Sequence, residues 1–274
     1  MGQTGFEIKP FFLSSKQGSL FCMYLCPTGG TTKGSILYLH PFAEEMHKSR
    51  RMAAIQARRF ASEGYAVLQL DLTGCGDSIG DFGDATWGRW LDDVQCAYTW
   101  LSSNTTGPII LWGLRTGASL AVEAANALPR VASLLLWQPV ISGDQYLNQF
   151  LRIKLAGEML SGGQAQSGTR DLRAKLEAGQ SFEVGGYLLC DEMARNLAKI
   201  KLADVIPPCP VFWVEVIAGE GGEVTPATQR VVDAWRTRGA NVSTRVVAGE
   251  PFWVTQEITE CPGMIQSASE VLGA

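Results

Sequence analysis

Runs of apolar residues alternate with segments of helical periodicity along most of this chain. The nearly continuous apolar run at residues 65–72 predicts a strand buried on both faces, as in parallel sheets. Apolar positions at helical spacing over residues 49–63, followed by Gly64, predict a helix. The predicted strands are 6–13, 20–27, 35–39, 65–72, 108–114, 131–140, 210–217 and 242–248. This alternation predicts an α/β fold: an eight-stranded, mostly parallel sheet with helices on both faces and a hairpin at the start.

The alternation breaks between residues 142 and 203. This segment carries helical patterns at 145–160, 169–178 and 191–202 and no clear buried strand. We predict that it forms a helical cap over the strand ends, inserted into a single domain that spans residues 1–274.

Composition and charge narrow the class of protein. The 274 residues are 46% hydrophobic and 18% charged, which is enough apolar material for a large core. The net charge of −4 gives nucleic acid no electrostatic attraction. No apolar run reaches the roughly 20 residues needed to span a bilayer, and the first residues lack the pattern of a signal peptide. We therefore expect a cytoplasmic protein that binds no nucleic acid and has no membrane span.

Seven cysteines and two histidines offer little material for a metal site. The cysteines are scattered and contain no C-x-x-C pair, so a zinc centre is not expected. Reduced thiols in the cytoplasm are the simplest account of them. We predict neither a metal nor another cofactor.

Candidate chemistry lies in the segments that follow the strands, because open α/β sheets bind ligands beyond the carboxyl ends of their strands. Five segments are distinctive: 40–45, 71–78, 113–117, 218–223 and 249–253. Gly113-x-x-x-Gly117, between a buried strand and a helix, has the spacing of a nucleophile elbow. In such an elbow two glycines admit a sharp turn that displays the middle side chain.

These segments, in this order, resemble the α/β-hydrolase superfamily over almost the whole chain. Asp71-x-x-Gly74-x-Gly76-x-Ser78 is similar to the loop after the fourth strand of those enzymes. His40 stands where their oxyanion loop opens. The resemblance implies an α/β-hydrolase fold with a Ser–His–acid triad assembled at the elbow.

Some segments also resemble a narrower group, the exosortase A system-associated hydrolases of the second type. The motifs that carry this resemblance are 40–46, 74–78, 113–115, 136–139 and 251–253. That family accompanies bacterial exopolysaccharide loci and the exosortase machinery, which sorts proteins with a C-terminal tag. The resemblance implies a cytoplasmic accessory protein with a protein partner in that system.

The sequence departs from the triad at the nucleophile and at the base. Arg115 stands in the middle of the elbow, and a guanidinium is protonated and not nucleophilic. No histidine follows His47, so the base expected after the last strand is missing. Glu220 aligns loosely with the acid of the family, but an acid without its base has no role in a triad.

Two interpretations of Arg115 stay open. Beside Thr116, at a helix start where backbone N–H groups favour anions, its charge suits a ligand carboxylate or phosphate. Alternatively, Arg115 forms an internal salt bridge with Glu44, Glu45 or Glu220. In both cases we expect one of these carboxylates within hydrogen-bonding reach, because an unpaired buried guanidinium is strongly destabilising.

The other candidate residues also have two interpretations each. In the first interpretation, Cys75 and Ser78 are alternative nucleophiles that His40 activates as a base. In the second, Cys75 and Ser78 are turn and cap residues, and His40 supports its own loop by hydrogen bonds. Four aromatic side chains at strand ends either line a pocket for a sugar ring or an acyl chain or fill that space. They are Phe42, Trp137, Phe252 and Trp253.

Three functional hypotheses are compatible with these residues. The first is a catalytically silent protein of α/β-hydrolase fold that binds an anionic, sugar or acyl ligand or a protein partner. The second is an ester or acyl hydrolase with an unconventional catalytic set, and the third is a structural subunit with a closed pocket. The first is favoured over the second because the exchange of a nucleophile for Arg115 is a chemical loss.

Overall fold

An eight-stranded sheet forms the centre of the molecule. The computed structural model describes residues 5–29, 32–160, 168–219 and 221–273. The strands are β1 (Phe6–Ser15), β2 (Gly18–Pro27), β3 (Gly34–Leu39), β4 (Tyr65–Leu70), β5 (Ile109–Leu114), β6 (Val131–Trp137), β7 (Phe182–Val184), β8 (Tyr187–Leu189), β9 (Val211–Ile217) and β10 (Val242–Ala248). The sheet has the order β1-β2-β4-β3-β5-β6-β9-β10. Six strands run parallel and the β1–β2 hairpin forms an antiparallel edge, which confirms the predicted sheet.

Helices cover both faces of the sheet. They are α1 (Glu44–Ser62), α2 (Trp87–Asn104), α3 (Thr116–Ala127), α4 (Gly143–Leu160), α5 (Thr169–Glu177), α6 (Asp191–Lys199), α7 (Pro226–Thr237) and α8 (Pro262–Gly273). One core contains Phe60 of α1 and Met264 of α8, and the other contains Trp90 of α2 and Trp235 of α7. Every residue of β3 and β5 is buried, which accounts for their unbroken apolar character. Over the described residues, no helix is both long and apolar enough to cross a bilayer.

Helix α1 begins five residues before its predicted start at Ser49. Glu44 and Glu45 occupy the first turn, where carboxylates interact favourably with the helix dipole. Ser49 is buried inside the helix, and its hydroxyl donates to the Glu45 carbonyl at 2.7 Å. The early start brings two carboxylates to the carboxyl edge of the sheet.

The segment 142–203 lies at that same edge over its described residues, which are 142–160 and 168–203. Its three helices match the predicted ones apart from their ends, and it also contains the two-stranded β7–β8 hairpin, which the sequence analysis missed. Tyr146 and Phe150 of α4 contact Phe42, with ring centroids 6.3 and 5.1 Å apart. Ser142 and Lys201 pair in an antiparallel bridge, so the two ends of the segment meet.

Candidate functional site

Strand β5 passes into helix α3 through a sharp turn at Arg115. Its φ of 56° and ψ of −119° form the strained conformation expected of a nucleophile elbow. The flanking glycines permit close packing: a Cβ at Gly117 would lie 2.2 Å from the Leu39 carbonyl oxygen. A Cβ at Gly113 would lie 2.4 Å from the Ala118 Cα. The predicted Gly-x-x-x-Gly turn therefore exists, with arginine at its centre.

The Arg115 side chain is held from four directions and is only 15% exposed. Its Nε donates to Glu45 Oε1 at 3.3 Å, and its Nη1 donates to the Gln138 carbonyl, also at 3.3 Å. Its Cζ lies 5.4 Å from the ring centre of Trp253 and 5.7 Å from that of Tyr146, within the range of cation–π attraction. Arg115 thus joins α1, the turn after β6, helix α4 and the loop after β10.

Glu45 is the ion-pair partner of Arg115 among the predicted carboxylates. Its side chain is 7% exposed; burial raises the pKa of the carboxyl group, and the charge of Arg115 opposes that shift. Glu44 lies 4.0 Å from Lys48 on the surface of α1. Glu220 lies outside the described residues.

His40 is buried with both ring nitrogens at hydrogen-bonding distance from the backbone. Its Nδ1 lies 2.7 Å from the Pro41 carbonyl oxygen, and its Nε2 accepts from the Leu72 N–H at 3.1 Å. This pattern fits a neutral ring protonated on Nδ1, and burial lowers the pKa of the ring in agreement. The contacts favour support of the loop over general-base catalysis, because the one basic nitrogen is already occupied.

Ser78 and Cys75 are built into the loop that follows β4. The Ser78 hydroxyl donates to the Asp71 carbonyl at 2.5 Å and accepts from the Phe21 N–H at 2.8 Å. Cys75 is buried, and burial raises the pKa of its thiol, which disfavours the thiolate that attacks substrates. These contacts are those of turn residues.

The carboxylate of Asp71 fixes the same loop from within. It accepts from Arg50 at 3.0 and 3.1 Å and from the Asp77 N–H at 3.2 Å. Within the described part of the chain, His, Cys, Asp and Glu side chains form no cluster of three that could hold a metal ion.

The aromatic side chains predicted at the strand ends are deeply buried. Phe42, Trp137 and Phe252 are completely inaccessible, and Trp137 packs against Trp112 and Phe252. Trp253 is 5% exposed and is the member of this set that contacts Arg115. Their burial favours the interpretation that they fill the space beside the elbow.

Three residues at or near the site were not predicted from the sequence: Asp93, Gln138 and Tyr146. Asp93 accepts from the Thr73 N–H at 2.7 Å, and burial raises the pKa of its carboxyl group to about 6. Its position between Trp90 and Val94, inside the apolar stripe of α2, was a readable signal for a buried carboxylate. No sequence signal marked Gln138 or Tyr146, because their contacts with Arg115 depend on how distant segments of the chain pack together.

The sheet, the elbow and the loop after β4 together define an α/β hydrolase, and solved structures share this fold. Est1E from Butyrivibrio proteoclasticus, solved with ferulic acid, matches with a TM-score of 0.69 and 14% identity, over 96% of this chain and 97% of that chain. Mouse alpha/beta hydrolase domain-containing protein 10 matches with a TM-score of 0.61 and 17% identity, over 97% and 98%. An α/β serine hydrolase without lid from Xanthomonas campestris matches with a TM-score of 0.57 and 18% identity, over 97% and 95%.

The sequence itself gives the family. A family model described as serine aminopeptidase, S33, matches residues 30–205, which is well over half of the chain. The chain therefore belongs to this family of α/β hydrolases. None of the curated proteins matches the chain significantly.

Proposed function

We propose that this chain is a catalytically silent member of its hydrolase family that binds a small anionic ligand at the elbow. The observation that carries the proposal is the Arg115–Glu45 ion pair at the position of the nucleophile. A guanidinium cannot attack a carbonyl carbon, but it is well suited to hold a carboxylate or a phosphate.

The alternative, an ester or acyl hydrolase with an unconventional catalytic set, has less support. Its catalytic set would be Cys75 or Ser78 with His40 as the base. Cys75 is buried, Ser78 uses its hydroxyl in two hydrogen bonds, and both nitrogens of His40 face the backbone. Activity would require this loop to open, which would break all of these contacts.

Ligand binding would proceed by exchange of carboxylates on Arg115. A ligand anion displaces Glu45 from the guanidinium, and Glu45 then takes up a proton, a step that its raised pKa favours. Two buried oxygens, Glu45 Oε2 and Thr116 Oγ1, have no hydrogen-bond partner in the described structure and suit a polar ligand group. The rings of Tyr146 and Trp253 would flank an apolar, sugar or acyl portion of the ligand.

Segment 142–203 would act as the cap of this site within a single domain, since Tyr146 of α4 lies over Arg115. The resemblance of residues 40–46, 74–78 and 251–253 to exosortase A-associated hydrolases supports a cytoplasmic accessory role. In that role the partner would be a protein of the exosortase and exopolysaccharide system.

The silent-enzyme part is tested with purified protein and p-nitrophenyl acetate and butyrate. We expect no saturable turnover, because the nucleophile and the base of the triad are both missing. Saturable turnover that disappears in Cys75→Ala or Ser78→Ala would instead establish the alternative hydrolase.

The ligand-binding part is tested by titrating acetate and butyrate into the protein in a calorimeter. The double variant Arg115→Gln/Glu45→Gln leaves no buried unpaired charge and should lose binding at least tenfold. Arg195→Gln, which changes an exposed arginine in α6, is the matched control and should bind like the parent. Equal binding by the double variant and the parent would refute the proposed site.

A further inference from the structure

A cavity of about 260 Å³ lies between α1 and the strands β2 and β4. Neither Arg115 nor Glu45 lines it, so it is separate from the site at the elbow. Its apolar wall includes Phe21, Met23 and Leu25 of β2 and Ala53 and Ala54 of α1.

The register of the sheet creates this wall. Met23, Gln69 and Tyr38 are neighbours on β2, β4 and β3, so their side chains project from the same face. At the edge strand β1 the apolar surface continues into solvent, with Ile8 43% exposed and Phe12 60% exposed. The Phe12 ring contacts that of Phe21, which lines the cavity, at 5.6 Å. The cavity therefore opens beside exposed apolar side chains.

Two arginines of α1, Arg50 and Arg58, line the cavity, and their charges are balanced differently. Arg50 binds both carboxylate oxygens of Asp71, so its charge is neutralised within the protein. Arg58 is exposed, and its Nη1 donates to the Ala54 carbonyl of its own helix at 3.1 Å. Among the described residues, no carboxylate lies within ion-pair distance of Arg58.

A second polar group lines the same cavity as Arg58. The side-chain amide of Gln69 lines the cavity and makes no hydrogen bond with the rest of the described chain. A carboxylate can accept from a guanidinium and an amide at once. The cavity thus combines an apolar wall with the Arg50–Asp71 ion pair, the ring of His40, one cation without an ion-pair partner and one free amide.

We propose that this cavity binds a medium-chain carboxylate, with its head group at Arg58 and Gln69 and its alkyl chain along Phe21, Met23 and Ala54. The apolar wall selects an alkyl chain, and the single positive charge selects a monoanionic head group. The volume is below the range of about 300–1,000 Å³ that drug-sized ligands occupy, which favours a medium-chain carboxylate over a long-chain one.

Calorimetric titration with octanoate, octanol and octylamine tests the proposal. We expect saturable binding of octanoate, at least tenfold weaker binding of octanol, and none of octylamine. Arg58→Gln should weaken octanoate binding at least tenfold. Arg59→Gln is the matched control, because Arg59 belongs to the same helix, pairs with Glu63 and does not line the cavity.

A variant that fills the cavity provides an independent test. Ala54→Trp should remove octanoate binding, with the melting temperature measured to confirm folding. The absence of octanoate binding by the parent, or equal binding by the parent and Arg58→Gln, would overturn the proposal. Loss of binding in Arg115→Gln/Glu45→Gln but not in Arg58→Gln would also overturn it, by assigning the ligand to the elbow. Stronger binding of octyl phosphate than of octanoate would overturn the carboxylate assignment.

Discussion

The elbow and the loop after β4 are both tight, glycine-containing turns at the carboxyl edge of the sheet, but they are held in different ways. Backbone contacts hold the elbow: Gly117 lies against the Leu39 and His40 carbonyls, and the Arg115 N–H donates to the Trp137 carbonyl at 2.9 Å. Side chains hold the loop, where Ser78 and Asp71 bind neighbouring backbone groups and Arg50.

This difference explains which residue is free to change. The elbow can exchange its central side chain while the turn persists, so a nucleophile can be replaced by arginine without loss of the fold. In the loop, the hydroxyl of the candidate nucleophile Ser78 is itself a structural contact. The identity of the side chain at the centre of the elbow is thus independent of the contacts that hold the loop.

The largest expected effect is on the backbone of the elbow. In Gly117→Ala the new Cβ would lie 2.2 Å from the Leu39 carbonyl oxygen and 2.5 Å from that of His40, and no side-chain rotation relieves a backbone overlap. We expect a loss of more than about 4 kcal/mol in the free energy of unfolding. Gly88→Ala in α2, where the Cβ meets nothing within 4 Å, should stay within about 1 kcal/mol of the parent. Urea denaturation measures the free energy of unfolding of both variants. Equal values for Gly117→Ala and the parent would show that the turn tolerates a Cβ.

The second effect is on the side chain of the elbow. Arg115→Ser leaves Glu45 buried without its cation, and protonating the carboxyl group at pH 7 costs about 3 kcal/mol of unfolding free energy. Addition of Glu45→Gln should restore most of this loss. At pH 5 Arg115→Ser should lose much less unfolding free energy, because protonating Glu45 costs less at that pH. Equal losses at pH 5 and pH 7 would mean that Glu45 is not the cause.

The smallest effect concerns Asp93, which anchors the Thr73 N–H at the start of the loop. Its pKa of about 6 in the folded protein lies above the ordinary value, so the folded state binds more protons between about pH 4 and pH 6. Its contribution to stability is therefore complete below about pH 4 and declines by about 2 kcal/mol as the pH rises through 6. Asp93→Asn keeps an acceptor for Thr73 and should flatten this decline. Urea denaturation of both proteins from pH 4 to 7 measures the difference, and parallel curves would contradict the assignment.

Long elements were predictable because burial on one or two faces leaves a periodic pattern. Strand β10, at Val242–Ala248, was predicted to the residue, and α4 was predicted to within two residues at its start and to the residue at its end. The hairpin of β7 and β8 was not, because strands of three residues carry no measurable alternation. The start of α1 was missed because its N-cap is Ala43, at a φ of 51°, and not a residue that normally caps helices.

The position of the candidate site could be predicted from the sequence, but most of the contacts within it could not. Glycine spacing indicated the turn at Arg115, and charge balance indicated a carboxylate partner. Which carboxylate it would be depended on the start of α1. The approach of Tyr146 depended on the packing of α4, which local sequence does not encode.

The bridge between Ser142 and Lys201 has a consequence for the evolution of the chain. Since the segment leaves and rejoins the sheet at one place, its length can change without altering the path from β6 to β9. The whole segment can then be gained, shortened or exchanged by recombination as one unit. Residues 142 and 201 are accordingly the natural junctions for a chimera that carries the corresponding segment of a relative.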